Sequence, residues 1–307
     1  MKANKFKNKT PQAAFTLVEL LVVIATMAIL AVTLLPAFAG TRQNAQVIGC
    51  MDNQRQLAVA WAMYARDNND ALVPNRGLNG ATGVTYSGDP RLQPQLLPGG
   101  ANADWCPGNM QNDQDTVAGS KYPEGSIYSW WLQAGLLYPY VNNMSAYHCP
   151  ADHSTVPRGL TAFVAPALRT YSMNDWVQPM DNPGYASSPW PGGPTTGYYV
   201  YTKLSNMYQP GPSKIFVFIE ESPYSIDDGF FAVNPSETTT WVNSPAVLHG
   251  NASVLAFADG HTDAHRWTDS SMITATPSTP TGNIDGWPAS SSSGDLAWLN
   301  SISTAAN

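Results

Sequence analysis

Charge is scarce in this chain, and positive charge scarcest. Of 307 residues only 12% are charged, with 15 Lys and Arg against 22 Asp and Glu, for a formal charge of −7. A chain so short of cations lacks the basic face that phosphate backbones require, so nucleic acid is excluded as a partner. Cysteine is equally sparse: Cys50, Cys106 and Cys149 are the only three, and none belongs to a CxxC pair. That spacing argues against zinc binding. HExxH and GxSxG are also missing, so no enzymatic activity is expected. What abounds is Gly (24) and Pro (25), with many Ser, Asn and Thr. Such a composition reads as loop-rich and extracytoplasmic.

Long apolar runs are few as well, and one dominates: Phe15 to Ala39, FTLVELLVVIATMAILAVTLLPAFA. As a helix of about 25 residues it would cover roughly 37 Å, enough for a bilayer's hydrocarbon core. Lys2, Lys5, Lys7 and Lys9 precede it without an acid, which sets the head in the cytoplasm and the rest outside. The run is too long for a cleaved secretory signal, and the small pair Ala13–Ala14 comes before it. A plain membrane anchor would account for most of this. Glu19 does not fit that reading, because a carboxylate near the bilayer costs on the order of 3 kcal/mol and wants a partner.

Ala14 followed by Phe15-Thr16-Leu17-Val18-Glu19-Leu20 resembles the class III signal of type IV prepilins and type II secretion pseudopilins. The resemblance implies that a prepilin peptidase cuts between Ala14 and Phe15 and methylates the new amine. Ala14 stands where the family usually has Gly. Removing the leader with its four lysines takes the formal charge to −11. Glu19 would pair with the Phe15 amine of a neighbouring subunit, a copy of itself or another pilin or pseudopilin, and so fix axial register. The alternative for Glu19 is to snorkel to the headgroups. Pro36 matches the proline with which pilins loosen this helix, since proline removes a backbone donor. The implied location is the bacterial inner membrane, with the C-terminal domain in the periplasm, and later an extracytoplasmic filament.

The boundaries that follow are a leader over 1–14, a membrane half over 15–39, an amphipathic half over 40–69 and a globular domain over 70–307. In the amphipathic half Ile48, Leu57, Trp61 and Tyr64 recur near helical spacing and are core candidates. The segments CMDNQRQLAVAWAMYARDNND and GLLYPYV…YHCPAD look like prepilin-like proteins of Planctomycetes and Verrucomicrobia. His249, nine further residues and Asp259-Gly260 match that family's H-x9-DG motif. The implied fold is α+β and pilin-like: a long N-terminal helix packed on an antiparallel β-sheet with long loop insertions. Strands are expected over 160–164, 198–202, 214–220, 230–233, 253–258 and 262–267, a short helix over 126–137 and a closing segment over 295–302.

Three site readings stay open. Cys106 and Cys149, each before a proline, could pair outside the cytoplasm, closing a loop of about 43 residues and adding around 4 kcal/mol; free thiols or a metal site with His148 are the alternatives. Asp259-Gly260 reads first as a turn. It also belongs, with Glu220, Asp227 and Asp228, to a set of acids at strand ends that would suit calcium. His261, Asp263 and His265 alternate along one strand and give only a weak acid–base or metal signal. The rival to a filament subunit is a membrane-anchored glycan- or polymer-binding module using loops 75–125 and 178–197. A metal-dependent hydrolase built on His249, Asp259 and His261 is the remaining rival.

Overall fold

The computed structural model describes residues 15–76, 98, 100, 103–107, 129–157, 164–178, 197–226, 228–236, 238–273, 287–288 and 294–306, without the side chains of 33–42, 130, 156–157, 164–165 and 287–288. Leader residues 1–14, Asp227 and most of loops 75–125 and 178–197 lie outside the described residues. Two compact units emerge, Met1–Asn44 and Ala45–Asn307.

Helix α1 runs over Leu17–Asp67 and passes through Pro36 as one element. Its start is set by a capping box. Thr16 Oγ1 accepts from the Glu19 amide at 3.2 Å, and Glu19 Oε2 accepts from the Thr16 amide at 2.8 Å and the Thr16 hydroxyl at 2.7 Å. Each side chain thereby satisfies a donor that a helix start leaves orphaned. In the first unit the described apolar side chains of α1 are exposed, from 40% at Val23 to 78% at Leu17. Among the described residues no helix is long and apolar enough to cross a membrane.

The second unit is α+β. A five-stranded sheet has the order β5-β3-β4-β7-β8. Its strands are β3 (Tyr171–Asn174), β4 (Phe216–Glu220), β5 (Phe230–Phe231), β7 (Ala252–Phe257) and β8 (Thr262–Arg266). Two small antiparallel pairs accompany it, β1 (Thr155–Pro157) with β2 (Val164–Pro166), and β6 (Thr240–Trp241) with β9 (Trp287–Pro288). The expected all-antiparallel sheet is not what forms: β3 pairs with β5 in parallel, and the sheet is mixed. Residues 198–202 contribute isolated bridges at Tyr198 and Tyr201 instead of a strand.

Both faces of the sheet are covered. Along β7, Val254 and Ala256 join one apolar cluster while Leu255 and Phe257 join another, as alternation in a strand requires. The first cluster takes Cys50, Leu57, Trp61 and Ala65 from α1. Burying Leu57 and Trp61 completely contributes roughly 2–3 kcal/mol each. Ile48, expected on that face, is 66% exposed. The second cluster receives Leu296 and Leu299 from α5 (Asp295–Ser303). On β4, Val217 and Phe218 both belong to the first cluster, because the pairing with β7 shifts register between Phe216 and Phe218. The expected helix over 126–137 is described as α2 (Ser129–Ala134), followed by α3 (Tyr138–Val141). Between them sits Gly135, where a Cβ would lie 2.3 Å from the Trp105 carbonyl oxygen. A short α4 (Ser270–Ile273) follows β8.

Candidate functional site

Four segments distant in sequence deliver Cys50, Cys149, Glu220 and His249 to one point inside the second unit. All four are buried, and one ligand atom from each lies within 4.8 Å of every other. Cys50 sits on the face of α1 that also presents Gln46, Gly49, Asn53 and Gln54, spacings of three, four and seven residues. Gln54 Nε2 donates to the Val254 carbonyl at 2.7 Å and Asn53 Nδ2 to the His148 carbonyl at 2.9 Å. Gly49 lets the loop at Pro150 approach, since a Cβ there would meet the proline ring at 3.3 Å. Glycine inside a helix costs about 1 kcal/mol relative to alanine, and here it admits the loop carrying Cys149.

That loop follows a 3₁₀ turn over Met144–Tyr147. The Cys149 amide donates to Thr170 Oγ1 at 3.1 Å, and the Thr170 hydroxyl donates to Asp152 Oδ2 at 2.9 Å. Glu220 ends β4. Its Oε2 accepts from the Val254 amide at 2.7 Å, which aims Oε1 at the cluster. His249 precedes a tight bend in which Gly250 and Asn251 both adopt φ of +67°, and its amide donates to the Ala252 carbonyl at 3.2 Å. Two consecutive positive φ values are what a two-residue hairpin turn with right-handed twist needs.

Within the cluster, His249 Nε2 lies 3.3 Å from each sulfur and 3.0 Å from Glu220 Oε1. Cys50 Sγ lies 2.7 Å from Glu220 Oε1. The Tyr171 hydroxyl donates to Cys50 Sγ at 3.2 Å and the Ala151 amide to Cys149 Sγ at 3.3 Å. Among the described residues His249 Nδ1 has no hydrogen-bond partner. Burial pushes the Cys50 thiol far up, and hydrogen bonding to Cys149 and the charge of Glu220 add to it. Burial pulls His249 down, yet hydrogen bonds and charge from Cys149 and Glu220 outweigh it and push the imidazole up to about 10.

In the structure Cys106 and Cys149 are not bonded to each other; all three cysteines are free. Cys149 faces Cys50 and His249 instead, while Cys106 is buried next to Trp105, its thiol pushed up to about 12 chiefly by burial. Of the acids proposed for calcium, Asp227 lies outside the described residues, and Glu220 and Asp259 do not converge. Glu220 sits at the C-terminal end of β4, whereas Asp259 follows Phe257, which pairs with Phe216 at the other end. Asp228 accepts from the Phe230 amide at 2.8 Å. His249 and Asp259 likewise flank opposite ends of β7, so hydrolase chemistry through that pair has no geometry here. Asp259-Gly260 is a turn: Asp259 Oδ1 accepts from the His261 amide at 3.1 Å and Gly260 has φ +88°. His265 stacks on Trp298 at 3.6 Å between ring centroids, while the His261 ring pairs with Asp259. Phe15 is 72% exposed and Glu19 caps its own helix.

No family model, no curated protein and no solved structure matches this chain.

Proposed function

We propose that the chain is a pilin-like filament subunit. It would be held in the inner membrane by residues 15–39, cut before Phe15 by a prepilin peptidase, and added to a type IV pilus or a type II secretion pseudopilus through its N-terminal helix. The observation that carries this reading is the contrast along α1. From Leu17 to Val32 the large apolar side chains are 40–78% exposed, whereas Leu57 and Trp61 are fully buried. An apolar surface of that extent on a soluble protein marks a membrane or protein interface. Packing it against neighbouring helices supplies the assembly energy.

Glu19 gives register. In the single chain its carboxylate accepts from the Thr16 amide and hydroxyl. A neighbour's methylated Phe15 amine is a charged donor for the same oxygens, and charge-assisted hydrogen bonds are stronger than neutral ones. Removing that carboxylate should abolish ordered assembly while the second unit stays folded. The deciding experiment is intact mass analysis of the chain from its own cells. A product beginning at methylated Phe15 is expected; a chain retaining Met1 overturns the reading. The filament assay on Glu19→Ala is its companion, and wild-type levels of filament would remove Glu19 from the mechanism.

A further inference from the structure

Of the features the filament reading leaves unused, the buried Cys50, Cys149, Glu220 and His249 cluster carries the most. Its donor set is two sulfurs, one imidazole nitrogen and one carboxylate oxygen. Thiolate and imidazole select a borderline-soft ion over calcium or magnesium, which take oxygen. Zinc with Zn–S near 2.3 Å and Zn–N or Zn–O near 2.0 Å holds adjacent tetrahedral ligands roughly 3.3–3.8 Å apart. Three of the contacts here are 3.0, 3.3 and 3.3 Å. The fourth, Cys50 Sγ to Glu220 Oε1, is 2.7 Å and opens by about 0.8 Å around an ion.

The surroundings of three of the four ligands match as well. Two thiolates and one carboxylate around a divalent ion leave a net charge of −1. Each group that reaches a ligand from outside is a donor aimed at that negative charge: the Tyr171 hydroxyl and the Ala151 amide on the sulfurs, the Val254 amide on Glu220 Oε2. Outer partners of this kind orient ligands and tune a metal site. The side chains of His249 and Glu220 are wholly inaccessible, so no open coordination position faces solvent and the site is structural, not catalytic.

We propose that Cys50, Cys149, Glu220 and His249 bind one zinc ion that fastens α1 and the Cys149 loop to the sheet. On binding, each thiol gives its proton to solvent and its sulfur lone pair to the metal, and His249 Nε2 likewise gives up the proton it shares with Glu220 and offers its nitrogen lone pair; no oxidant is needed. The site lies within the second unit and stands whether or not the chain forms filaments.

The test uses the reduced full-length chain, purified without chelator, and measures metal directly. About one zinc per chain is expected, and stripping it should lower Tm by more than about 5 °C. Cobalt(II) alone, added to the stripped chain, should give a sulfur-to-cobalt charge-transfer band and tetrahedral d–d bands that zinc then abolishes. Cys106→Ser should keep both signals, whereas the Cys50→Ser and Cys149→Ser double variant should lose them. Should that variant fail to fold, the cobalt spectrum of the wild-type chain still decides. A stripped chain that gains neither zinc nor a sulfur–cobalt band overturns the proposal. So does an intact mass showing Cys50 and Cys149 joined as a disulfide in the chain from its own cells.

Discussion

Asp104 offers a sharp test of the electrostatics of the core. It is 4% exposed, and its Oδ1 accepts from the Trp105 amide at 2.7 Å and the Arg76 amide at 3.3 Å. Burial raises its carboxyl from the ordinary 3.8 to about 7, more than those amides and the charges of Arg76 and Arg169 lower it. The folded state therefore holds the proton more tightly than the unfolded chain. The stability this lends is fully present below pH 4 and is lost as pH rises through 7. At 1.36 kcal/mol per pKa unit, the whole span amounts to about 4 kcal/mol, of which about 3 kcal/mol disappears between pH 5 and pH 8. Other groups titrate over the same range, so the measurement is a difference. Asp104→Asn keeps an oxygen for both amides and removes the titration. Urea unfolding of both chains at pH 5, 6, 7 and 8 would be followed by tryptophan fluorescence; all ten tryptophans lie beyond residue 44, so the signal reports the second unit. The stability of wild type minus that of Asp104→Asn should fall by about 3 kcal/mol from pH 5 to pH 8. A difference that stays flat would mean that Asp104 is ionised in the fold at pH 5, and the reasoning from burial would fail.

Gly135→Ala places a Cβ 2.3 Å from the Trp105 carbonyl and 3.1 Å from that of Leu132. Backbone must move, and a loss of about 3 kcal/mol is expected; an unchanged urea midpoint refutes the close packing. Asn174 Nδ2 donates to the Phe216 and Ser303 carbonyls, both at 2.9 Å. Asn174→Ala should cost about 2–4 kcal/mol and free α5 for early proteolysis, and equal digestion rates would count against that link. Arg169 is buried and donates to the carbonyls of Tyr171 and Asp228 and to Ser172 Oγ. Arg169→Ala should destabilise by about 3 kcal/mol, read as a lowered denaturation midpoint. Thr16→Ala removes half the capping box and should weaken the first turn of α1 by about 1 kcal/mol, seen as faster amide exchange at residues 17–20.

The elements legible in the sequence were those with a strong one-dimensional pattern. KIFVFIE and SVLAFA are runs of β-formers with punctuation on both sides, and they became β4 and β7. The helix boundary at Asp67 follows from the Asn68–Asn69 pair and Pro74. β3 was invisible because half of it is polar. Ser172 and Asn174 are buried, and their acceptability depends on Arg169, Phe216 and Ser303, which sequence spacing does not bring together. The parallel pairing of β5 is likewise a tertiary outcome. The metal-type cluster escaped for the same reason: each ligand comes alone from its own segment. An oxidising compartment favours Cys106 as the partner of Cys149, whereas the helix periodicity of Gln46, Cys50 and Asn53 is the sign that Cys50 faces inward. The Thr16-x-x-Glu19 spacing is itself a readable capping box.

The two margins of the five-stranded sheet have a consequence for life at close quarters. On one side the last strand is β5, two residues long. On the other it is β8, whose Asp263 and Arg266 are exposed. Neither offers a long, uncharged row of free amides and carbonyls onto which another chain could zip. Molecules of this protein can therefore be crowded side by side without their sheets fusing into a continuous ribbon, and the danger of amyloid-like growth is kept away from the folded unit.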